Sequence, residues 1–270
     1  MATRSIQPHN ERPQAVWSSG GASYDDISRQ IASALEHCVV RVDPRPGERM
    51  LDLATGTGWT SRLLAARGAQ VVGVDLAPDL VATARTIAQT RGWPIEYEVG
   101  DAESLRFEDA SFDAVVSTVG VMFVTRPEAA AAEIARIVRP GGRIGLVTWK
   151  PDGSVFEMFK VMKPYMPPPP ATAPPSPFEW GKRERIQALF GDAFELGFED
   201  GETVYRERDG EAAWRAFATG YGPTRTLAQS LDDERREALH RDFVAFHDRR
   251  RTELGVTLPR EYLVTIGRRR

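Results

Sequence analysis

Apolar positions in this chain change period twice. Between Tyr24 and Val42, the residues Ile27, Ile31, Ala34, Leu35 and Cys38 recur every three or four positions, the spacing of one buried helix face. Pro44-Arg45-Pro46-Gly47 ends that helix and turns the chain. From there, short apolar runs predict strands over Arg49 to Leu53, Gln70 to Val74, Ile95 to Val99, Phe112 to Ser117 and Arg143 to Trp149. Helical segments alternate with them at Trp59 to Arg67, Pro78 to Arg91 and Arg126 to Val138, with Pro78 and Asp79 suited to a first turn. Gly141-Gly142 reads as the turn before the fifth strand. This alternation predicts an α/β fold: a Rossmann-like, doubly wound, mostly parallel sheet with an N-terminal helical segment.

Beyond Trp149 the period changes again. Pro164, Pro167, Pro168, Pro169, Pro170, Pro174, Pro175 and Pro177 exclude a regular helix or a central strand, so this stretch reads as an extended excursion. Helices are predicted over Lys182 to Phe190, Glu211 to Thr219 and Asp232 to Leu254. Phe194 to Arg206 reads as a strand or a bent strand pair turning at Asp200-Gly201, and Glu261 to Ile266 as a last strand. The expected organisation is residues 1–45 as a flexible segment and helix, 46–150 as the α/β core, 151–257 as a cap inserted after the fifth strand, and 258–270 as a final strand and tail. Residues 1–22 are expected to be flexible, although Trp17 stands out among polar and small neighbours.

Composition narrows the function. The 270 residues carry 35 Lys plus Arg against 38 Asp plus Glu, a net charge of −3. That balance disfavours an obligatory nucleic-acid partner, and Arg268-Arg269-Arg270 reads as a solvated tail. Cys38 is the single cysteine, so no intrachain disulfide and no cysteine-based zinc cluster can form. His9, His37, His240 and His247 fall outside the motifs described below, and no metal site is expected. Met1 to Arg12 has no apolar signal core, and no stretch reaches the roughly 20 apolar residues that span a bilayer. The expectation is a soluble cytoplasmic protein, monomeric or homodimeric, with no membrane partner.

The chemistry concentrates in Met50-Leu51-Asp52-Leu53-Ala54-Thr55-Gly56-Thr57-Gly58. An apolar strand runs into a glycine-bearing loop and then a helix, whose free N–H groups face a ligand. A Cβ at Gly56 or Gly58 would hinder both the tight turn and the ligand's approach. Asp75 ends the second strand, about 20 residues beyond Gly56, where a carboxylate can accept hydrogen bonds from both hydroxyls of a ribose. A dinucleotide loop reads G-x-G-x-x-G, but Ser61 occupies the third glycine's place. Asp52, inside the strand end, would repel a pyrophosphate and attract an ammonium.

These residues resemble class I S-adenosylmethionine-dependent methyltransferases of the UbiE-like small-molecule group, over roughly residues 15–150. Leu51 to Gly58 is similar to the family's first motif, with Ala54 where the family usually has Gly. Val72-Gly73-Val74-Asp75 resembles the second motif and Gly100-Asp101-Ala102-Glu103 the third. Phe112 to Ser117 resembles the fourth-strand motif, and Arg139-Pro140-Gly141-Gly142 the turn before the fifth strand. The resemblance implies S-adenosyl-L-methionine as cofactor and S-adenosyl-L-homocysteine as product. It places Asp52 and Gly56 near the methionine portion, Asp75 at the ribose, and Leu76, Asp101 and Ala102 around the adenine, with Ala54, Thr55 and Gly58 as further cofactor-binding residues of the loop. Ser117 and Thr118 would follow the fourth strand, where cofactor and substrate meet. Trp17 and Tyr24 are candidates for an N-terminal aromatic over the cofactor, or for packing of the N-terminal helix on the sheet.

The implied reaction is in-line transfer of a methyl group to a small-molecule acceptor, with no residue announcing itself as a catalytic acid or base. The aromatic and methionine content beyond Trp149 suits a planar or hydrophobic metabolite. Thr118, Phe123, Trp149, Phe156, Phe159, Trp180 and Tyr221 are the candidate acceptor-binding residues, and Pro164 to Pro177 a candidate lid. Two other readings stay open: a relative that binds the cofactor without transferring methyl, and a nicotinamide-dependent oxidoreductase.

Overall fold

The structure is a computed structural model that describes residues 6–168 and 174–270. In chain order, α1 (Glu11–Ser18), α2 (Tyr24–Arg29) and α3 (Ala32–Val42) precede β1 (Arg49–Leu53), α4 (Trp59–Ala65), β2 (Gln70–Asp75), α5 (Pro78–Thr90) and β3 (Glu96–Val99). Then come β4 (Phe112–Thr118), α6 (Pro127–Ile137), β5 (Val138–Trp149), α7 (Ser154–Met162), α8 (Arg183–Phe190) and β6 (Phe194–Glu207). The chain closes with α9 (Gly210–Gly220), α10 (Gly222–Ser230), α11 (Asp233–Asp248), β7 (Arg251–Thr252) and β8 (Gly255–Arg269).

The sheet order is β3-β2-β1-β4-β5-β8-β6, with β7 paired to β8. Strands β1 to β5 are mutually parallel, and β8 runs antiparallel between β5 and β6. The order reverses between β1 and β4, which opens a crevice at the carboxyl ends of the strands. Leu51, Val115, Val116 and Leu146 are fully buried at the centre. Each such side chain contributes about 1.5–3 kcal/mol relative to exposure, so the crevice stands on a rigid floor. Among the described residues, no helix is long and apolar enough to cross a membrane.

Several expectations need correction. Residues 6–22 are not a flexible run: α1 is a helix whose Trp17 packs edge-on against Phe123 and Tyr221, while residues 1–5 of that expectation lie outside the described residues. The predicted helix Tyr24 to Val42 is two helices, broken at Ile31 (φ −121°, ψ 15°). Gly141-Gly142 is not a turn before β5 but part of a bulge within it, where Val138 opposes Phe112 and Arg143 opposes Ala114. β6 is one continuous strand without a turn at Asp200-Gly201; Gly201 faces Tyr262, whose ring would lie 2.3 Å from a Cβ there. Helix α10 was not anticipated, and α11 ends at Asp248, followed by the short β7. The terminal arginines are not a free tail: Arg268 lies in strand register between Arg143 and Glu195, and Arg269 donates to the Ala193 carbonyl. Pro164 and Pro177 sit in short 3₁₀ helices (Lys163–Tyr165 and Pro177–Gly181), while the centre of the candidate lid, residues 169–173, lies outside the described residues.

Candidate functional site: a cofactor cavity joined to an aromatic chamber

The loop after β1 is shaped by left-handed backbone. Ala54, Gly56 and Gly58 have φ of 56°, 56° and 83°. At Gly58 a Cβ would lie 2.2 Å from the Tyr97 hydroxyl, so glycine is required there for space as well as for φ. Ala54 has the same handedness without glycine's freedom, and carries strain. Val119, after β4, also has φ 56°. A β-branched residue in that region costs on the order of 1–3 kcal/mol and marks a backbone held by its surroundings.

Asp75 is 7% exposed and faces the crevice. Its two carboxylate oxygens accept from the backbone N–H groups of Gly56 (2.7 Å) and Ala77 (2.8 Å). Burial outweighs these bonds and raises its pKa. Asp101 is 3% exposed. It accepts from the Gln7 backbone N–H, the Asn10 amide and the Glu103 backbone N–H at 2.9–3.0 Å. His9 meets the Glu103 carboxylate at 2.6 Å, and Gln14 donates to the Leu76 carbonyl at 2.9 Å. The N-terminal segment is thereby fastened across the third and second strand ends.

Between these elements lies a cavity with an empty volume of about 930 Å3. Of the candidate cofactor residues, Trp17, Tyr24, Ala54, Gly56, Asp75, Leu76, Asp101 and Ala102 lie on its wall. Asp52, Thr55, Gly58 and Ser117 do not. Asp52 alternates with Leu53 along β1, and only Leu53 reaches the wall. The Asp52 carboxylate is 1% exposed behind the loop, where the hydroxyls of Thr55 and Ser61 each donate to it at 2.6 Å. Burial nevertheless pushes its pKa up to about 6. Ser117 accepts from the Val121 backbone N–H and shapes the turn after β4.

A second chamber of about 410 Å3 adjoins the first. Tyr24, Ile31, Val119 and Phe123 line both. Trp149, Met158, Phe217, Tyr221 and Arg260 are among the other wall residues. Tyr24 and Tyr221 stack at 6.5 Å, and burial raises the pKa of both phenols. Of the candidate acceptor residues, Thr118 lies on the first cavity, Trp149 and Tyr221 on the second, and Phe123 on both. Phe156, Phe159 and Trp180 line neither: the first two pack on Phe178 and the third on Phe190, as core.

Sequence reasoning missed Asn10, Thr60, Glu103, Val119 and Arg260 on these walls. Ile31 and Leu35 were read only as core positions of a helix face; the break at Ile31 turns them toward the cavity. Glu103 had a signal, since it follows Asp101 in the third motif. The others had none, because their partners are distant in sequence.

The profile of the methyltransferase-domain family matches residues 51–146. An uncharacterized protein of Mycobacterium tuberculosis (strain H37Rv) is 34% identical over 215 residues, covering 78% of this chain and 77% of its own length. A demethylmenaquinone methyltransferase of Thermus thermophilus is 42% identical over 106 residues, covering 38% of this chain and 48% of its own. The solved structure of a geranyl diphosphate methyltransferase in complex with SAM superposes with a TM-score of 0.54 at 18% identity, over 88% of this chain and 85% of that one. The cavity at the carboxyl ends of β1 to β4, the family match spanning those strands and the alignment with the demethylmenaquinone methyltransferase together assign the chain to the class I S-adenosylmethionine-dependent methyltransferases.

Proposed function

We propose that the larger cavity binds S-adenosylmethionine and that the adjoining aromatic chamber holds a planar or hydrophobic small-molecule acceptor. The observation that carries this reading is the wall shared by the two spaces, Tyr24, Ile31, Val119 and Phe123. The residues present fit the proposed cofactor. Asp75 has about four acceptor sites and uses two on Gly56 and Ala77, which leaves capacity for a ribose diol. Asp101 uses three, and one remains for an amino group of the adenine. Leu76 and Ala102 supply apolar contact beside it, and Ala54 and Gly56 flank the methionine portion. Asp52, Thr55 and Ser61 act from behind, by holding the loop.

The bound cofactor supplies a methyl group activated on a sulfonium. The chain's own residues position the acceptor against it and exclude water, which accounts for much of the rate such a displacement needs. Among the described residues the chamber wall offers no carboxylate or imidazole as a base. Its phenols stay protonated at neutral pH, so Tyr24 and Tyr221 can donate hydrogen bonds to an acceptor oxygen or nitrogen.

Calorimetric titration with S-adenosylhomocysteine tests the cofactor assignment. Asp75→Ala should weaken binding by about 1–3 kcal/mol, the scale of a lost buried hydrogen-bonding partner. Unchanged affinity removes Asp75 from the ribose site. Transfer of labelled methyl to a metabolite extract then tests turnover, and its absence from every extract leaves a binding protein instead of an enzyme of this specificity.

A further inference from the structure

Among the described residues, Arg260, on β8, is the one charged group on the wall of the aromatic chamber. It is 4% exposed, yet its Nε and Nη2 have no hydrogen-bond partner. Its neighbours are aromatic: the guanidinium carbon lies 4.1 Å from the Tyr205 ring centre and 5.5 Å from that of Phe217. The titratable groups that act on it are the phenols of Tyr205 and Tyr221, and no carboxylate among the described residues pairs with it. His247, packed on the same aromatics, is itself neutral: burial pushes its pKa down to about 4.

A buried guanidinium without a counter-ion is expensive, and proteins keep such charges where something pairs with them. Ring stacking offsets part of the cost but satisfies no N–H. The orphaned Nε and Nη2 form one edge of the guanidinium, and that edge presents the two parallel N–H bonds that a carboxylate accepts with both oxygens. The remaining walls of the chamber, Trp149, Met158 and Phe217 among them, suit a flat apolar body. Given the acceptor chamber described above, on which this inference rests, we propose that the methyl acceptor is an aromatic or otherwise planar carboxylic acid whose carboxylate pairs with Arg260. Arg260 is then a specificity-determining residue, and the chamber selects acids over neutral molecules of the same shape.

Matched acid and amide probes test this at pH 7 by calorimetry on the full chain, with and without saturating S-adenosylhomocysteine. The panel is benzoate against benzamide and 2-naphthoate against 2-naphthamide. At least one acid should bind about tenfold or more tightly than its amide, as a charge-assisted bidentate pair implies. Arg260→Met and Arg260→Gln should both abolish that preference; each removes an uncompensated buried charge, so neither is expected to unfold the protein. No preference for any acid, or a preference that survives in both variants, overturns the proposal and leaves Arg260 as a stacking residue of the core. Failure of S-adenosylhomocysteine to bind would instead strike at the cofactor assignment, while the acid–amide comparison stays readable without it.

Discussion

Asp52 gives a test with a calculable size. Its carboxylate is buried behind the glycine loop, and burial raises its pKa from the ordinary 3.8 to about 6 despite the Thr55 and Ser61 hydroxyls. In the unfolded chain it ionises near 3.8; in the folded protein it keeps its proton to about pH 6. Its contribution is therefore fully present below pH 3.8 and is lost as pH rises through about 6. At 1.36 kcal/mol per pKa unit, the loss is about 3 kcal/mol across that window. Asp52→Asn keeps the shape and an oxygen that accepts from both hydroxyls, and removes the titration. Any fixed cost of the amide cancels when the two proteins are compared across pH. Urea denaturation from about pH 4 to 7.5, extrapolated to water, should show Asp52→Asn gaining about 2 kcal/mol on the wild type between about pH 4 and 6 and little more above, because the unfolded carboxyl is already partly ionised at pH 4. The wild-type curve alone does not reveal this, because His247 titrates over almost the same range with the opposite sign. A difference curve that is flat, or that slopes the other way, refutes the buried, proton-holding Asp52.

His247 is fully buried, and its pKa falls from 6.5 to about 4. The unfolded state binds the extra proton first, so this residue costs stability as pH falls from 6.5 to about 4. His247→Phe, set among Phe217, Phe243 and Phe246, should gain about 3 kcal/mol on the wild type at about pH 4 relative to pH 7; parallel urea curves for the two proteins would contradict it. Ala54 sits at φ 56°, which costs an L-residue about 1–2 kcal/mol, whereas glycine adds about 0.4–1 kcal/mol of unfolded-state entropy. Ala54→Gly should thus raise stability by about 0.5–1 kcal/mol, seen as a higher urea midpoint with unchanged slope, and a lower midpoint would mean that the methyl's packing outweighs its strain.

What the sequence determined by itself was the part of the molecule built from local signals. Apolar runs of strand length, helical spacing between them and glycines at the hand-over fix β1 to β5, because each element buries its own apolar face and each loop needs its own φ. Gly56, Asp75 and Asp101 were legible for the same reason: the motif places them at strand ends, and in a parallel sheet strand ends are where a ligand sits. The tertiary structure decided what depends on partners far apart in the chain. Asp52 is expected from its motif near the methionine portion of the cofactor, and only the tertiary structure shows its carboxylate behind the loop, where the Ser61 hydroxyl donates to it. The N-terminal segment gains its order from Asn10 and His9 reaching Asp101 and Glu103, more than 90 residues away. The aromatic chamber, with Tyr24, Phe123, Tyr221 and Arg260 drawn from four separate stretches of the chain, exists only once β8 has inserted between β5 and β6. No periodicity records such a meeting, because burial of a charge and the lack of a partner for it are properties of the space around a residue and not of its neighbours in sequence.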